Sequence, residues 1–351
     1  MDELTSRQQM ILTLVVREYV GTAAPVGSKG LADKFKLGVS SATIRNELAQ
    51  LEELGYLSHP HTSAGRQPTD KGYRYFVERL MGETELPLHE QRTIAHQFYQ
   101  VTQDVEQWTK LAAAVLARTA RNAALVTAPQ SSTARFKHVQ MISTHGQLVL
   151  LILVLQDGSV KQEMLTLAEV LPQEALDEAS HLLNNACENL SHEGIMALRA
   201  NLSAFEAEIA GVIADILQMT ETRTPSTIYR DGLSEVLKQP EFENREDSEA
   251  LMRVMEEHNS LLEEVLANAL SPNVGGVQVV IGGEGRWREL RDCSLVLARY
   301  GVANQATGTL GVLGPTRMPY NRAISAVRYV SDLMSDLVSD LYSHQEVVES
   351  D

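Results

Sequence analysis

The sequence predicts an α+β protein of several domains, on three observations. The first eighty residues carry apolar positions at helical spacing, broken by Gly, Pro and Ser punctuation. The remainder runs through strand-like segments, then helices, then strand-like segments again. Charge divides the chain in the same place. Residues 1–80 hold 10 Lys and Arg against 9 Asp and Glu, and the rest holds 20 against 37, within a net charge of −16. A length of 351 residues exceeds one ordinary domain and fits roughly two or three of about 100–150 residues.

Thr5-x-x-Gln8 and Ser6-x-x-Gln9 are capping-box patterns. Met10, Ile11, Leu14, Val15 and Tyr19 follow at helical spacing until Gly21 and Pro25 end the helix. Ser28 opens a short second helix with Leu31, Ala32 and Phe35 inward, and K-L-G-V (36–39) turns the chain. The stretch S-S-A-T-I-R-N-E-L-A-Q-L-E-E-L-G-Y-L (40–57) is a third helix, capped by Ser40 or Ser41 and stopped by Gly55. Its inward residues, Ile44, Leu48, Leu51 and Leu54, leave Ser41, Thr43, Arg45, Asn46 and Gln50 facing out. Tyr56-Leu57 starts a strand, H-P-H-T-S-A-G-R-Q-P (59–68) is a polar loop with a return strand, and residues 69–80 close the unit as a helix. This succession predicts a winged helix-turn-helix over residues 1–82.

G-E-T-E-L-P (82–87) reads as a linker, followed by an amphipathic helix over 90–120 with a break. Strands are expected at 137–143, 148–156 and 160–167, joined at H-G-Q and Q-D-G-S. Residues 173–190, 194–202, 205–219 and 246–269 read as helices, with a short strand at 226–229. Strand signal returns at 277–282, 294–300 and 308–314, before a terminal helix over 320–342. The three early and three late strands are expected to share one antiparallel sheet. That sheet domain would span 88–171 and 273–345, split by a mainly helical insert over 172–272.

The acidic remainder repels nucleic acid, so a double-stranded DNA partner has to meet the first eighty residues. Major-groove readers place base contacts at a helix amino terminus. There Arg45 can donate twice to a guanine edge and Asn46 can pair twice with adenine. Ser40, Ser41 and Thr43 suit phosphate oxygens, and Gln50 lies on the same outward edge. In the loop, His61, Thr62, Ser63 and Arg66 are candidate backbone or minor-groove contacts, with Gly65 allowing close approach. Lys29, Lys34, Lys36, Lys71 and Arg74 are further phosphate candidates, or ordinary surface charge.

Enzymes are disfavoured. The chain has no G-x-S-x-G, no zinc spacing and no Cys/His arrangement, and V-V-I-G-G-E-G-R-W (279–287) lacks the spacing of a phosphate loop. His59 and His61 have no third ligand nearby, so no metal and no cofactor is expected. Arg317 in G-P-T-R-M-P-Y (314–320) is read as an intramolecular salt bridge at a domain joint. Cys187 and Cys293 read as buried reduced thiols. The amino terminus is no signal peptide, and the longest apolar run, residues 148–155, falls short of the ~18–20 that a membrane helix needs. A cytoplasmic location away from the membrane is expected.

The helix at 40–57, with P-H-T-S-A-G-R-Q-P-T-D-K-G-Y-R-Y-F-V behind it, resembles the heat-inducible transcription repressor HrcA family. Y-R-D-G-L-S-E-V-L-K-Q-P-E-F (229–242) and G-P-T-R-M-P-Y resemble that family's middle and late motifs, so the likeness covers essentially the whole chain. A-T-I-R-N alone is generic for winged helices. The resemblance implies a repressor of chaperone operons that binds a long inverted-repeat operator, the CIRCE element, as a homodimer. It implies a GAF-like second domain interrupted by a dimerising insert, and activity dependent on a GroE-type chaperonin. Where the family commonly has an acidic residue, this chain has Pro319. Three alternatives stand beside it: a one-component regulator whose GAF-like domain senses a small effector, an enzyme with an appended DNA-binding domain, and an adaptor whose winged helix binds protein.

Overall fold

The computed structural model describes residues 4–35, 38–60, 65–82, 84–101, 104–131, 134–156, 158–222, 227–256, 262, 274–284, 287, 290–303 and 305–348. They form an α+β chain in two compact units, one drawn from residues 1–129, 226–301 and 308–351, the other from 130–225 and 302–307.

The first unit opens with helix α1 (Ser6–Thr22), and of the two capping boxes it is Thr5 and Gln8 that close. Ile11, Leu12, Val15 and Val16 are buried, with Gln8 one turn earlier. This face is turned slightly from the expected one: Met10 is 43% exposed, and Leu12 and Val16 take the inward places. The helix ends at Ala23 in the left-handed conformation, past Gly21. Helices α2 (Ser28–Phe35) and α3 (Ser41–Glu53) follow, and α3 packs on both α1 and α2. Ile44, Leu48 and Leu51 are its buried stripe. Burying each such side chain stabilises by about 1.5–3 kcal/mol relative to exposure. Strands β1 (Leu57–Ser58) and β2 (Gln67–Pro68) pair antiparallel. The expected closing helix is α4 (Asp70–Tyr75), which widens into a π-helical turn over Phe76–Leu80.

Helices α5 (Leu88–Tyr99) and α6 (Val105–Ala120) realise the broken 90–120 helix, and α6 leads into β3 (Ala123–Thr127), a strand the sequence did not announce. A-A-L-V-T has no alternation because every residue is buried, on both faces.

The second unit begins with β4 (Gln130–Ser131), paired to residues 306 and 307. A three-stranded meander then orders β5 (Phe136–His145), β6 (Leu148–Leu155) and β7 (Val160–Thr166). Helices α7 (Gln173–Cys187), α8 (His192–Leu198) and α9 (Ala204–Thr222) cover one face. Phe136, Val139, Met141, Val149, Leu151 and Leu153 meet Leu176, Leu183, Ile195 and Ile213 in one core.

The chain returns to the first unit with β8 (Ile228–Asp231), the short α10 (Leu233–Val236) and α11 (Arg245–Glu256). The expected helix 246–269 is seen to Glu256; beyond it only Leu262 lies among the described residues. Strands β9 (Val277–Ile281), β10 (Cys293–Val302) and β11 (Ala306–Pro315) precede the terminal helix α12 (Tyr320–Val348). The sheet runs β8-β3-β11-β10-β9. On one face Leu125, Leu295, Leu297 and Leu313 pack against Phe242, Leu251, Val254 and Met255. On the side of α6, that helix contacts both β3 and α12.

One expectation is corrected here. The early strands do not join the late ones: β5, β6 and β7 form their own sheet, and the late strands recruit β3 and β8 instead. The reason is local. Gly146 and Gly158, both at positive φ, close tight turns between successive strands, and helices α7–α9 follow directly to cover the meander. The compact insert therefore covers 130–225, where the sequence suggested 172–272, and α11 belongs with the first unit.

Candidate nucleic-acid interface

Helix α3 has two unlike ends. At its start, Ser40 caps the helix: its hydroxyl accepts from Thr43 N at 3.1 Å and lies 3.0 Å from the Thr43 hydroxyl. Such a cap is worth roughly 1 kcal/mol. Ser41, Arg45 and Asn46 are exposed, and among the described residues no hydrogen bond or ion pair engages their side chains. The first turn carries no acidic residue. This end is positive, from Arg45 and from the helix dipole. Two carboxylates, Glu52 and Glu53, stand at the other end, and Glu47 at mid-helix is paired with Arg7 at 3.3 Å. Only the amino-terminal edge can approach a polyanion without repulsion.

The remaining sequence-predicted residues fall out differently. Gln50 is exposed, but its side-chain Oε1 accepts from Gln8 Nε2 at 3.0 Å, so it ties α3 to α1. Arg66, expected as a phosphate contact, is half-buried with Nε 2.7 Å from Glu52 Oε2. The Arg66 backbone bridges Val26 in both directions, at 2.8 and 2.9 Å. His61, Thr62 and Ser63 lie outside the described residues, as does Lys36. Lys34 pairs with Glu18 at 2.5 Å. Lys71 donates to the Leu54 carbonyl oxygen at 2.7 Å, with its ammonium 4.4 Å above the Tyr56 ring. These lysines hold the domain together.

Arg74 shows what the sequence reading missed. It donates from Nε to Glu284 at 3.0 Å and from Nη2 to the Val279 carbonyl oxygen at 2.8 Å, fastening α4 to the edge strand β9. Asp70 accepts from Gly283 N at 3.0 Å in the same seam. Arg317 forms the salt bridge expected of it, to Glu241, and also donates to Gln239 at 2.8 Å and to the Val20 carbonyl oxygen at 3.0 Å. Tyr73 packs on Tyr320, ring centres 5.8 Å apart, and the Tyr320 hydroxyl donates to the Thr316 carbonyl oxygen at 2.6 Å. Burial raises the pKa of both phenols above the ordinary tyrosine value. The motifs around residues 70–74, 229–242 and 314–320 thus converge on one joint between the amino-terminal helices and the sheet. The links reach across 76 positions, Arg317 to Glu241, and 210, Arg74 to Glu284, so no local signal could reveal the joint.

Among the described residues, no three His, Cys, Asp or Glu side chains gather as a metal site. No described helix is long and apolar enough to cross a membrane.

Comparison with known proteins decides the family. Residues 106–324 match the family described as HrcA protein C terminal domain. The "Heat-inducible transcription repressor HrcA" of Roseiflexus castenholzii is 47% identical over 348 residues, covering 97% of this chain and 96% of that protein. The chain belongs to the HrcA family of heat-inducible transcription repressors. The HrcA proteins of Herpetosiphon aurantiacus, 46% identical over 99% of both chains, and Thermomicrobium roseum, 42% identical over 97% of both, agree. Members of the HrcA family are repressors of transcription and not enzymes. A solved structure titled "Crystal structure of a hypothetical protein at 2.2 A resolution" shares the fold, with a TM-score of 0.61 and 24% identity over 96% of this chain and 99% of that one.

Proposed function

We propose that the chain binds double-stranded DNA sequence-specifically as a homodimer on an inverted-repeat, CIRCE-type operator of chaperone operons, in the cytoplasm. Helices α1–α3 and the β1–β2 hairpin act as a winged helix-turn-helix, α3 being the recognition helix. The observation that carries this reading is the amino-terminal edge of α3, where Ser41, Arg45 and Asn46 are exposed and uncommitted while Ile44, Leu48 and Leu51 are buried behind them. Arg45 and Asn46 read bases, the Ser41 hydroxyl and the first-turn N–H groups take phosphate, and Ser40 and Thr43 shape that turn. His61, Thr62 and Ser63 are assigned to the wing contact. Repression needs no chemistry, because an occupied operator blocks polymerase.

The second unit is the proposed dimerising domain, through its sheet. All eight residues of β6 are apolar, the composition of a strand covered on both faces. The helices cover one face. On the other, Ile142, Leu148, Leu150, Ile152 and Val154 line up with Met164, which is 52% exposed. A second copy of this face supplies the cover. Two recognition helices then meet half-sites about one helical turn of ~10.5 bp apart, or a multiple of it. The sheet of the first unit stands for the GAF-like domain. One face of that sheet is filled by Phe242, Leu251, Val254 and Met255, which leaves no room there for a small effector and favours a scaffold over a ligand sensor. Family resemblance supplies the chaperonin: when it is occupied by heat-damaged proteins, the repressor goes unassisted. A loss of about 1.4 kcal/mol in folding free energy changes the folded-to-unfolded ratio tenfold.

The test is a selection of random duplexes on the purified protein, with and without GroE-type chaperonin. An inverted repeat is expected, recovered better with chaperonin. Recovery of no preferred sequence would overturn the reading.

A further inference from the structure

We propose that Glu52 is the positioning residue of the DNA-binding surface: its carboxylate clamps the base of the wing to the back of the recognition helix and so fixes where the wing loop meets DNA. This rests on the winged-helix reading above and adds a residue that reading does not use.

The wing ladder pairs Leu57 with Pro68 and Ser58 with Gln67. The same register places His59 opposite Arg66, the last pair before the loop. Glu52 reaches both. Its Oε1 meets His59 Nδ1, and its Oε2 lies 2.7 Å from Arg66 Nε. One carboxylate thus grips one residue on each side of the loop base. The outer edge has a second hold, the two backbone hydrogen bonds between Arg66 and Val26. Gly65 makes that hold possible, since a Cβ there would stand 2.5 Å from the Val26 carbonyl carbon. Strands of two residues are marginal by themselves in water, so the β1–β2 pair needs these grips to hold its base in one place.

The pair is well placed for this work. The Glu52 and Arg66 side chains are 23% and 25% exposed, so solvent and salt weaken their attraction less than that of a fully exposed pair. Glu52 stands nine residues beyond Thr43, about 13 Å along the helix axis at roughly 1.5 Å per residue. It is behind the reading edge and acts through the wing. Arg66 is then a strut, and the wing's contact with DNA belongs to the loop beyond it.

The test uses the full-length chain and a duplex selected by the wild type, with affinity measured across a salt series. Glu52→Gln keeps the shape and removes the charge. It is expected to lower affinity about tenfold and to reduce the salt slope by about 1 for each phosphate that the wing no longer reaches, with base preference retained. Glu52→Asp keeps the charge with a shorter reach and is expected to lose about threefold. Amide exchange at Val26 and Arg66 should quicken in Glu52→Gln while Ile11 and Leu12 keep their wild-type rates. Wild-type affinity and slope in both variants would overturn the proposal. So would tighter binding with a steeper slope, because the carboxylate would then merely mask two cations. If Glu52→Gln fails to fold, the Glu52→Asp affinity decides. A wild type that selects no duplex overturns the DNA-binding reading instead, and the exchange rates still decide the strut.

Discussion

A methyl group added at Gly65 would stand 2.5 Å from the Val26 carbonyl carbon and 2.6 Å from its oxygen, both backbone atoms that cannot swing away. Gly65→Ala should therefore destabilise the amino-terminal domain by about 1–3 kcal/mol, read as a lower midpoint in thermal or urea unfolding. Arg45→Ala should leave stability untouched, since among the described residues no hydrogen bond or ion pair uses the side chain. It should cost about 1–3 kcal/mol of binding to the preferred duplex and relax preference at one base position. An equal loss on every sequence would reduce Arg45 to a phosphate contact. At this scale the sequence was legible where a residue's neighbours are its helical neighbours. Ile44, Leu48 and Leu51 were placed by spacing alone, and Arg45 and Asn46 followed as the opposite face. Arg66 was not legible as a strut, because its partner Glu52 lies fourteen positions earlier and meets it only through the β1–β2 turn-back. Met10 and Leu12 flank Ile11 at about 100° on either side, so spacing alone does not say to which side the stripe turns; the fold buries Leu12 and leaves Met10 43% exposed.

Among the elements, α4 and the loop from β11 into α12 form the joint, and its phenols, Tyr73 and Tyr320, give a pH signature together with Tyr300 and Cys293 on β10. Burial raises the pKa of Tyr73, Tyr300 and Tyr320 above 10, and burial first, with Asp292 behind it, pushes the Cys293 thiol up to about 12. Each group is neutral when folded and ionises more readily when unfolded. Their contribution is thus complete below the unfolded values, roughly pH 8.5–10, and is lost as pH rises through the folded ones. Stability from these groups should be level from pH 6 to 8 and fall in alkali. Tyrosinate absorbance from them should rise together with loss of helical circular dichroism. Ionisation of Tyr73 or Tyr320 well ahead of unfolding would mean the joint is open to water. The helices were largely legible in the sequence, and so were β5–β7, which alternate or run apolar between Gly turns. β3 was hidden because A-A-L-V-T follows a helix with no break in its apolar character. The pairing of strands was misjudged because periodicity says nothing about which edge a strand meets.

For the whole molecule, the insert leaves and returns beside itself. Thr127 pairs with Ile228, so the chain departs after β3 and re-enters on the neighbouring strand β8. Replacing residues 130–225 with a short Gly/Ser linker should therefore leave the first unit folded. Light scattering should then give a monomer, and operator binding should weaken to that of a single half-site. An unchanged dimer would remove the role assigned to the sheet of the second unit. Charge partition was the clearest long-range signal in the sequence. It points to the first eighty residues as the proposed DNA-facing end, and Glu52 and Glu53 at the far end of α3 narrow that proposal to a single helical edge.

The central claim is that this edge reads base pairs from the major groove. Protection of guanine N7 from methylation measures it directly, on a duplex selected by the wild type. The account predicts protected guanines in both half-sites, about one helical turn or a multiple of it apart, and loss of protection at the matching position in each half-site with Arg45→Ala. A wild-type complex that leaves every guanine N7 open to methylation would contradict it.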